Sequence, residues 1–137
     1  MEKIHVMVDW CGKNYAASIS DSRINAVAVV VASKDYEALR RLAHEAVRFH
    51  IEGCASDGDT MPEWALSGDY ALEFEPCFSA VLHNALQYTT LSALSRVTGI
   101  KHAQLSHYAN AVSRPRDEQR RRIIEGMHKI GNACLSV

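Results

Sequence analysis

Apolar and polar positions alternate along much of the first half of the chain. Ile4–Trp10 has an apolar residue at every second position, and Tyr15–Ile19 continues this period after a CGKN turn. A period of two is typical of strands that bury one face, so these stretches predict a β-hairpin. The continuous apolar run Ala26–Ala32 predicts a third strand, buried on both faces. Tyr70–Pro76 alternates again and predicts a fourth strand.

One helix is predicted between the third and fourth strands. Ser33 is a suitable N-cap, and Gly53 suits the position that follows a helix. The side chains expected to face the sheet are Leu39, Leu42, Ala43, Ala46, Phe49 and His50. The acidic stretch ASDGDTMPE then predicts a loop. The first half is therefore predicted to be β-β-β-α-β, with the helix covering the sheet.

After Pro76 the apolar period changes to that of helices. Four helices are predicted: one opening at Phe78, one capped by Thr89 or Thr90 and ended by Gly99, one around Leu105 and Tyr108, and one starting at Ser113 and Pro115. The last has an apolar stripe of Ile123, Met127, Ile130 and Cys134. The predicted fold class is α+β, with one domain over residues 1–76 and an all-helical domain over residues 77–137.

Composition narrows the class of protein. The chain has 137 residues, of which 47% are hydrophobic and 23% charged, as in soluble globular proteins. We expect a cytoplasmic protein without a membrane partner, because no apolar run approaches a membrane span and the N-terminus has no signal-peptide pattern. Cys11, Cys54, Cys77 and Cys134 are scattered, so they are predicted to be buried, reduced side chains. No metal and no cofactor is expected.

Charge is distributed unevenly between the two predicted domains. Residues 1–76 contain seven Lys/Arg and thirteen Asp/Glu, a net charge of −6, and residues 77–137 contain eight Lys/Arg and three Asp/Glu, a net charge of +5. The asymmetry indicates partners of opposite sign. A polyanion suits the second half, and a basic protein suits the first.

The spacing around Gly99 fits a helix-turn-helix. Leu94 precedes the glycine as a core residue, and Leu105 and Tyr108 follow it on the inner face of the next helix. Gly99 is able to adopt the positive φ that lets two helices cross steeply. The alternative is a helical hairpin with a solvated polar face. The charge asymmetry and the SRPR sequence that follows favour DNA binding.

On the face away from the core, the second helix of this pair has hydrogen-bonding side chains that suit base edges and phosphates. Arginines that suit phosphate contacts follow the helix. The predicted DNA-contacting residues are Lys101, His102, Gln104, Ser106, His107, Arg114 and Arg116. The run Arg120–Arg122 is interpreted either as further phosphate contacts or as a solvated helix face.

This half resembles the Cro/repressor-type helix-turn-helix family over about Phe78 to Met127. The resemblance implies that Lys101, His102, Ala103 and His107 face the DNA groove and that Arg114 and Arg116 flank the DNA backbone. The chain departs from the family at three positions. Lys101 replaces a small Ser or Thr cap, Ser95 replaces a common Ala, and Ala111 lies near a common Gly.

The first half resembles the start of an RNase H fold, and VVVASKDYEALRRLAHEAVRFHIEGC resembles the strand–turn–helix of HicB antitoxins. SKDY replaces the G-[DE]-[ST] element usual in that turn. The HicB resemblance implies a partial RNase H-like domain without catalytic acids, followed by a helix-turn-helix domain. It also implies an antitoxin that covers the active site of HicA, a small basic mRNA-cleaving toxin. Such antitoxins repress their own operon by binding operator DNA as homodimers or higher homo-oligomers.

Two other functions stay open from the sequence. In a one-component regulator, the first half would bind a small molecule and shift the DNA affinity of the second. A metal-dependent nuclease would need several carboxylates that converge on divalent metal. Only Asp9 lies on the first predicted strand, and Glu45 and Glu52 lie off the apolar helix face. We therefore expect a protein without catalytic residues.

Overall fold

The computed structural model describes residues 1–137, and the chain divides into two compact units, Met1–Cys77 and Phe78–Val137. The elements follow one another as β1 (Glu2–Trp10), β2 (Tyr15–Asp21), a 3₁₀ turn (Ser22–Ile24), β3 (Ala26–Ser33), α1 (Tyr36–Ser56), α2 (Glu63–Ser67), β4 (Tyr70–Pro76), α3 (Phe78–Ala85), α4 (Leu91–Thr98), α5 (His102–Ala109) and α6 (Asp117–Leu135). The chain is thus mixed α+β, as predicted, with one four-stranded sheet and six helices. No helix is both long and apolar enough to cross a membrane.

The sheet of the first unit has the strand order β3-β2-β1-β4. β1 and β2 pair antiparallel, as do β2 and β3, whereas β1 and β4 pair parallel. The alternating positions of β1 and β2 are buried as their period predicts: Ile4, Val6, Val8, Tyr15, Ala17 and Ile19. Helix α1 contacts β2 and β3 and covers this face.

The prediction that the third strand is buried on both faces is wrong. β3 pairs only with β2 and forms an edge of the sheet. Val30 lies opposite Ser18 and is 61% exposed, and Val27 is 85% exposed. A continuous run of β-branched residues suits any strand, because the preference reflects fit to a pleated surface and carries no information about the strand's place in the sheet.

Helix α1 differs from its prediction in both its bounds and its buried face. Its N-cap is Asp35, whose Oδ2 accepts a 2.9 Å hydrogen bond from the Ala38 N–H, so Ser33 is not the cap. Gly53 lies inside the helix, which continues to Ser56. The buried stripe consists of Leu39, Ala43, Val47 and Ile51, while the predicted Leu42 and Phe49 are exposed.

Short helix α2 was not predicted, and it begins at Glu63, the last residue of the ASDGDTMPE stretch. The predicted loop is also shorter at its start, because Ala55 and Ser56 belong to α1. The four cysteines are free, as expected, but their predicted burial is wrong. Cys11 and Cys134 are exposed, and Cys54 and Cys77 are only half-buried.

The second unit packs four helices around one core. Its buried side chains are Leu82, Leu94, Ile100, Leu105, Tyr108, Ala109 and Ile123. Helix α4 starts at Thr90, whose Oγ1 accepts a 3.0 Å hydrogen bond from the Ala93 N–H. Helix α6 starts later than predicted, at Asp117 with Arg116 as its N-cap, so Pro115 lies outside the helix.

Helices α4 and α6 approach each other closely at Gly126. A Cβ atom at this position would lie 2.6 Å from Thr98 Cγ2. Thr98 cannot easily move aside, because its Oγ1 donates to the Leu94 carbonyl at 2.6 Å and accepts from the Ile100 N–H at 3.2 Å. Gly126 therefore sets the distance between the two helices.

We expect Gly126→Ala to lower the free energy of unfolding by roughly 1–3 kcal/mol, the usual cost of overpacking. Gly131→Ala is the matched control on the same helix, since a Cβ there meets nothing within 4 Å. The control is expected to raise stability by about 0.5–1 kcal/mol, because alanine is the better helix former. Denaturant unfolding of both variants, followed by circular dichroism, measures the difference. Equal stabilisation by both substitutions would contradict the close approach.

Histidine 83 makes the stability of the second unit depend on pH. Burial lowers the pKa of His83 from its ordinary value of 6.5, and a hydrogen bond with the Ala109 backbone opposes this only in part. The folded state therefore binds the proton less readily than the unfolded state. Stability is fully present above the unfolded pKa and is lost as the pH falls towards the folded pKa.

The thermal midpoint of the wild type is accordingly expected to fall between about pH 7 and about pH 5, and His83→Gln should flatten this dependence. Melting curves over this pH range test it, with the interval between about pH 7 and about pH 8 as the internal control, where the histidine is neutral in both states. An unchanged slope in the variant would show that another group causes the loss.

Candidate nucleic-acid interface

The turn between α4 and α5 is held by hydrogen bonds that its own sequence provides. Gly99 has φ 75° and ends α4, and Ile100 is buried directly after it. The Ser95 hydroxyl donates to the Ile100 carbonyl at 2.6 Å. A serine at this position, where the repressor-type family often has alanine, therefore ties α4 to the backbone that leads into α5.

Lys101 is the N-cap of α5. Its backbone is extended, with φ −61° and ψ 141°, and its side chain makes no capping hydrogen bond. The first N–H groups of α5 thus have no side-chain acceptor, and a positive charge stands beside them. This combination favours an anion at the start of the helix.

Ala111 follows α5 and has a φ of 57°, in the left-handed region that favours glycine. A non-glycine residue in this region costs on the order of 1–2 kcal/mol. The loop between α5 and α6 therefore holds a backbone conformation that glycine would adopt at less cost.

Four of the seven predicted DNA-contacting residues lie around one cavity. This cavity has a volume of 740 Å³ and is lined by Lys101, Gln104, Arg114 and Arg116 together with Gly99, Ile100, Tyr108, Ser113, Glu118, Gln119 and Arg122. The other three, His102, Ser106 and His107, lie on α5 outside the lining. His102 and His107 are exposed, and Ser106 is half-buried.

The cavity suits an anion. Its lining includes Lys101, Arg114, Arg116 and Arg122 but only one acid, Glu118. The Ser113 hydroxyl is buried there without a hydrogen-bond partner. Buried hydroxyl groups in proteins nearly always have a partner. An oxyanion such as a phosphate would supply the missing acceptor and balance the positive charge.

Sequence reasoning missed the role of Arg122. One guanidinium nitrogen donates to the Thr98 carbonyl at 2.7 Å, and the other donates to Gln119 Oε1 at 3.0 Å. Arg122 therefore caps the end of α4 as well as lining the cavity. Arg120 differs again, because its guanidinium lies over the Phe78 ring at 5.7 Å. The run Arg120–Arg122 has more than one role, which its sequence does not reveal.

A separate cluster of possible metal ligands lies on the sheet of the first unit. One ligand atom from each of His5, Glu73 and Glu75 lies within 4.8 Å of the others. His5 Nδ1 is 2.8 Å from Glu75 Oε1, and Lys3 Nζ is 3.2 Å from Glu73 Oε2. The His5–Glu75 hydrogen bond and the Lys3–Glu73 ion pair thus account for the grouping of these side chains. Asp9, the acid considered for a nuclease, is not part of the cluster.

None of three comparisons, with protein-family models, with curated protein sequences and with solved structures, finds a match for this chain.

Proposed function

We propose that the chain is a HicB-like antitoxin with two binding functions. Its acidic first unit, a partial RNase H-like domain, binds and neutralises a small basic mRNA-cleaving toxin. Its second unit, a helix-turn-helix domain, binds operator DNA and represses the chain's own operon. The observation that carries the proposal is the exposed helix α5 next to a cavity lined by four cations.

The dimensions of α5 support the DNA half of the proposal. Eight residues give a helix about 12 Å long, similar to the width of the major groove of B-DNA. His102 and His107 supply hydrogen-bonding groups for base edges, and the exposed methyl group of Ala103 suits a thymine methyl. The adjacent cavity receives a backbone phosphate, which fixes the register of the helix in the groove.

The acidic charge of the first unit supports the toxin half. Residues 53–76 contain six Asp/Glu and no Lys/Arg. They form the end of α1, the following loop, α2 and β4. We call residues 53–76 the acidic segment. Five of its acids, Asp57, Asp59, Glu63, Asp69 and Glu75, are exposed. Such a surface attracts a basic protein and speeds the encounter.

For DNA binding, we expect His107→Ala to cost about 1–3 kcal/mol at the specific site and little on random DNA. Lys101→Ala should weaken binding to both DNAs, because Lys101 lines the cavity proposed to receive a phosphate. Arg116→Ala should weaken binding to both and lower the salt dependence by about one phosphate contact. Fluorescence anisotropy with the gene's own upstream region and with random DNA of equal length measures both effects. Arg41→Ala, which removes the same charge from exposed α1, is the control. Equal affinity of the wild type for both DNAs would refute the DNA half.

For toxin binding, we expect the chain to form a complex with the small basic protein encoded beside it. The double substitution Asp57→Lys, Asp59→Lys should slow association on the order of tenfold at low ionic strength, because it reverses charge within the acidic segment. Asp9→Lys is a control on an exposed acid outside that segment. Stopped-flow or biosensor kinetics provide the rates. Rates that are insensitive to the double substitution would exclude the acidic segment as the docking site.

These two experiments also separate the proposal from a one-component regulator. That alternative predicts DNA affinity that responds to a small molecule and no complex with a neighbouring gene product.

A further inference from the structure

Strand β3 presents an open edge without the usual protection. It pairs with β2 on one side only, and its sequence AVAVVVAS contains no charged residue and no proline. Val27 and Val30 are 85% and 61% exposed. Monomeric proteins normally protect such an edge with lysines, prolines or bulges, because its free N–H and C=O groups pair readily with another strand. β3 does have a bulge, but at its start, between the β2 positions Ile19 and Asp21, so most of the strand remains regular.

An apolar groove runs beside this edge, between β3 and α1. Its volume is 540 Å³, and its apolar lining consists of Val31, Leu42, Ala46 and Phe49. Phe49 is 78% exposed, which is unusual for a large aromatic side chain with no partner. The charged lining residues are Glu45, Arg48 and Glu52. The groove and the edge together form one continuous surface, which we call the β3 edge surface.

The charge of the β3 edge surface identifies its occupant. β3 has no charge, and the groove combines two acids with one arginine. A basic toxin is attracted more strongly by the acidic segment, and DNA is attracted by the cations of the second unit. The β3 edge surface needs a partner with a neutral apolar strand beside a helix of mixed charge. A second copy of the chain offers such a surface, and Arg48 of each copy then finds acids on the other.

We infer that the chain forms a two-fold dimer in which β3 pairs antiparallel with β3 of a second copy. A two-fold axis perpendicular to the sheet makes the contact self-complementary and the strands antiparallel. The two four-stranded sheets become one sheet of eight strands. Leu42 and Phe49 on each α1 are covered by the other copy on the same face of the joined sheet.

The choice of a second copy as the occupant rests in part on the proposed function, which assigns the toxin and the DNA to other surfaces. The dimer also adds to that function. A two-fold dimer carries two copies of α5, as a palindromic operator requires.

The mass of the full chain in solution tests the dimer. Sedimentation equilibrium of the wild type at micromolar concentrations should give twice the chain mass of 15.2 kDa. The double substitution Val27→Lys, Val30→Lys and the single substitution Phe49→Glu should each halve it. Both place charge in the interface twice, once from each copy. The sites are already exposed, so the fold should survive, and circular dichroism checks this.

Met7→Lys is the matched control. Met7 is 48% exposed on the sheet, but it lies on central strand β1, away from the edge. The variant should stay dimeric. Dissociation by Met7→Lys but not by the β3 substitutions would assign the contact to stacked sheet faces and overturn the inference.

A monomeric wild type would also overturn the inference. If hydrogen exchange at β3 then slowed only after addition of the neighbouring basic protein, the β3 edge surface would belong to that partner. A dimer that fails to bind DNA removes the DNA half of the proposed function and leaves the inference intact. A monomeric wild type that binds its operator DNA overturns the inference and leaves the DNA half of the proposed function intact.

Discussion

The position of the exposed face of α5 depends on how firmly the turn after Thr98 is held. Three constraints meet there. The absence of a side chain at Gly126 lets α6 approach Thr98, Arg122 caps the Thr98 carbonyl at 2.7 Å, and Ser95 binds the Ile100 carbonyl at 2.6 Å. None of these contacts lies on the α5 surface that is free for DNA. Because each removes freedom from the start of α5, the cost of ordering this helix is met during folding and not during binding.

Charge divides the surface into three regions that suit different proposed partners. The acidic segment in the first unit and the cation-lined cavity in the second attract ligands of opposite sign. The β3 edge surface attracts neither, because strand β3 is uncharged and its apolar groups provide the adhesion. Long-range electrostatics select partners for the first two regions and weaken with salt, whereas apolar contact changes little with salt. One chain is thus able to keep self-association separate from the capture of charged partners.

The two ends of α4 and the turn after it could be predicted because their signals are local. Thr90 and Gly99 act within a few residues, and the core spacing of Leu94, Leu105 and Tyr108 follows from helix geometry. Features that are set by contacts between residues far apart in the sequence could not be predicted. The edge position of β3 depends on strand order, the buried face of α1 depends on how the helix is rotated on the sheet, and Arg122 reaches a carbonyl 24 residues away. The exposure of Phe49 could not be predicted for the same reason, since helical spacing alone does not distinguish Phe49 from the buried Val47.

The separation of the three regions bears on how an antitoxin of this kind would work. A single α5 reads only a few base pairs, and each pair contributes about 1–3 kcal/mol of discrimination. One unit alone therefore recognises an operator weakly, and a dimer roughly doubles the number of bases read. If β3 forms the dimer, the residues proposed to bind the toxin, the second copy and the DNA are three separate sets. An effect of the toxin on operator affinity would then be transmitted through the fold or through the charge that the toxin adds.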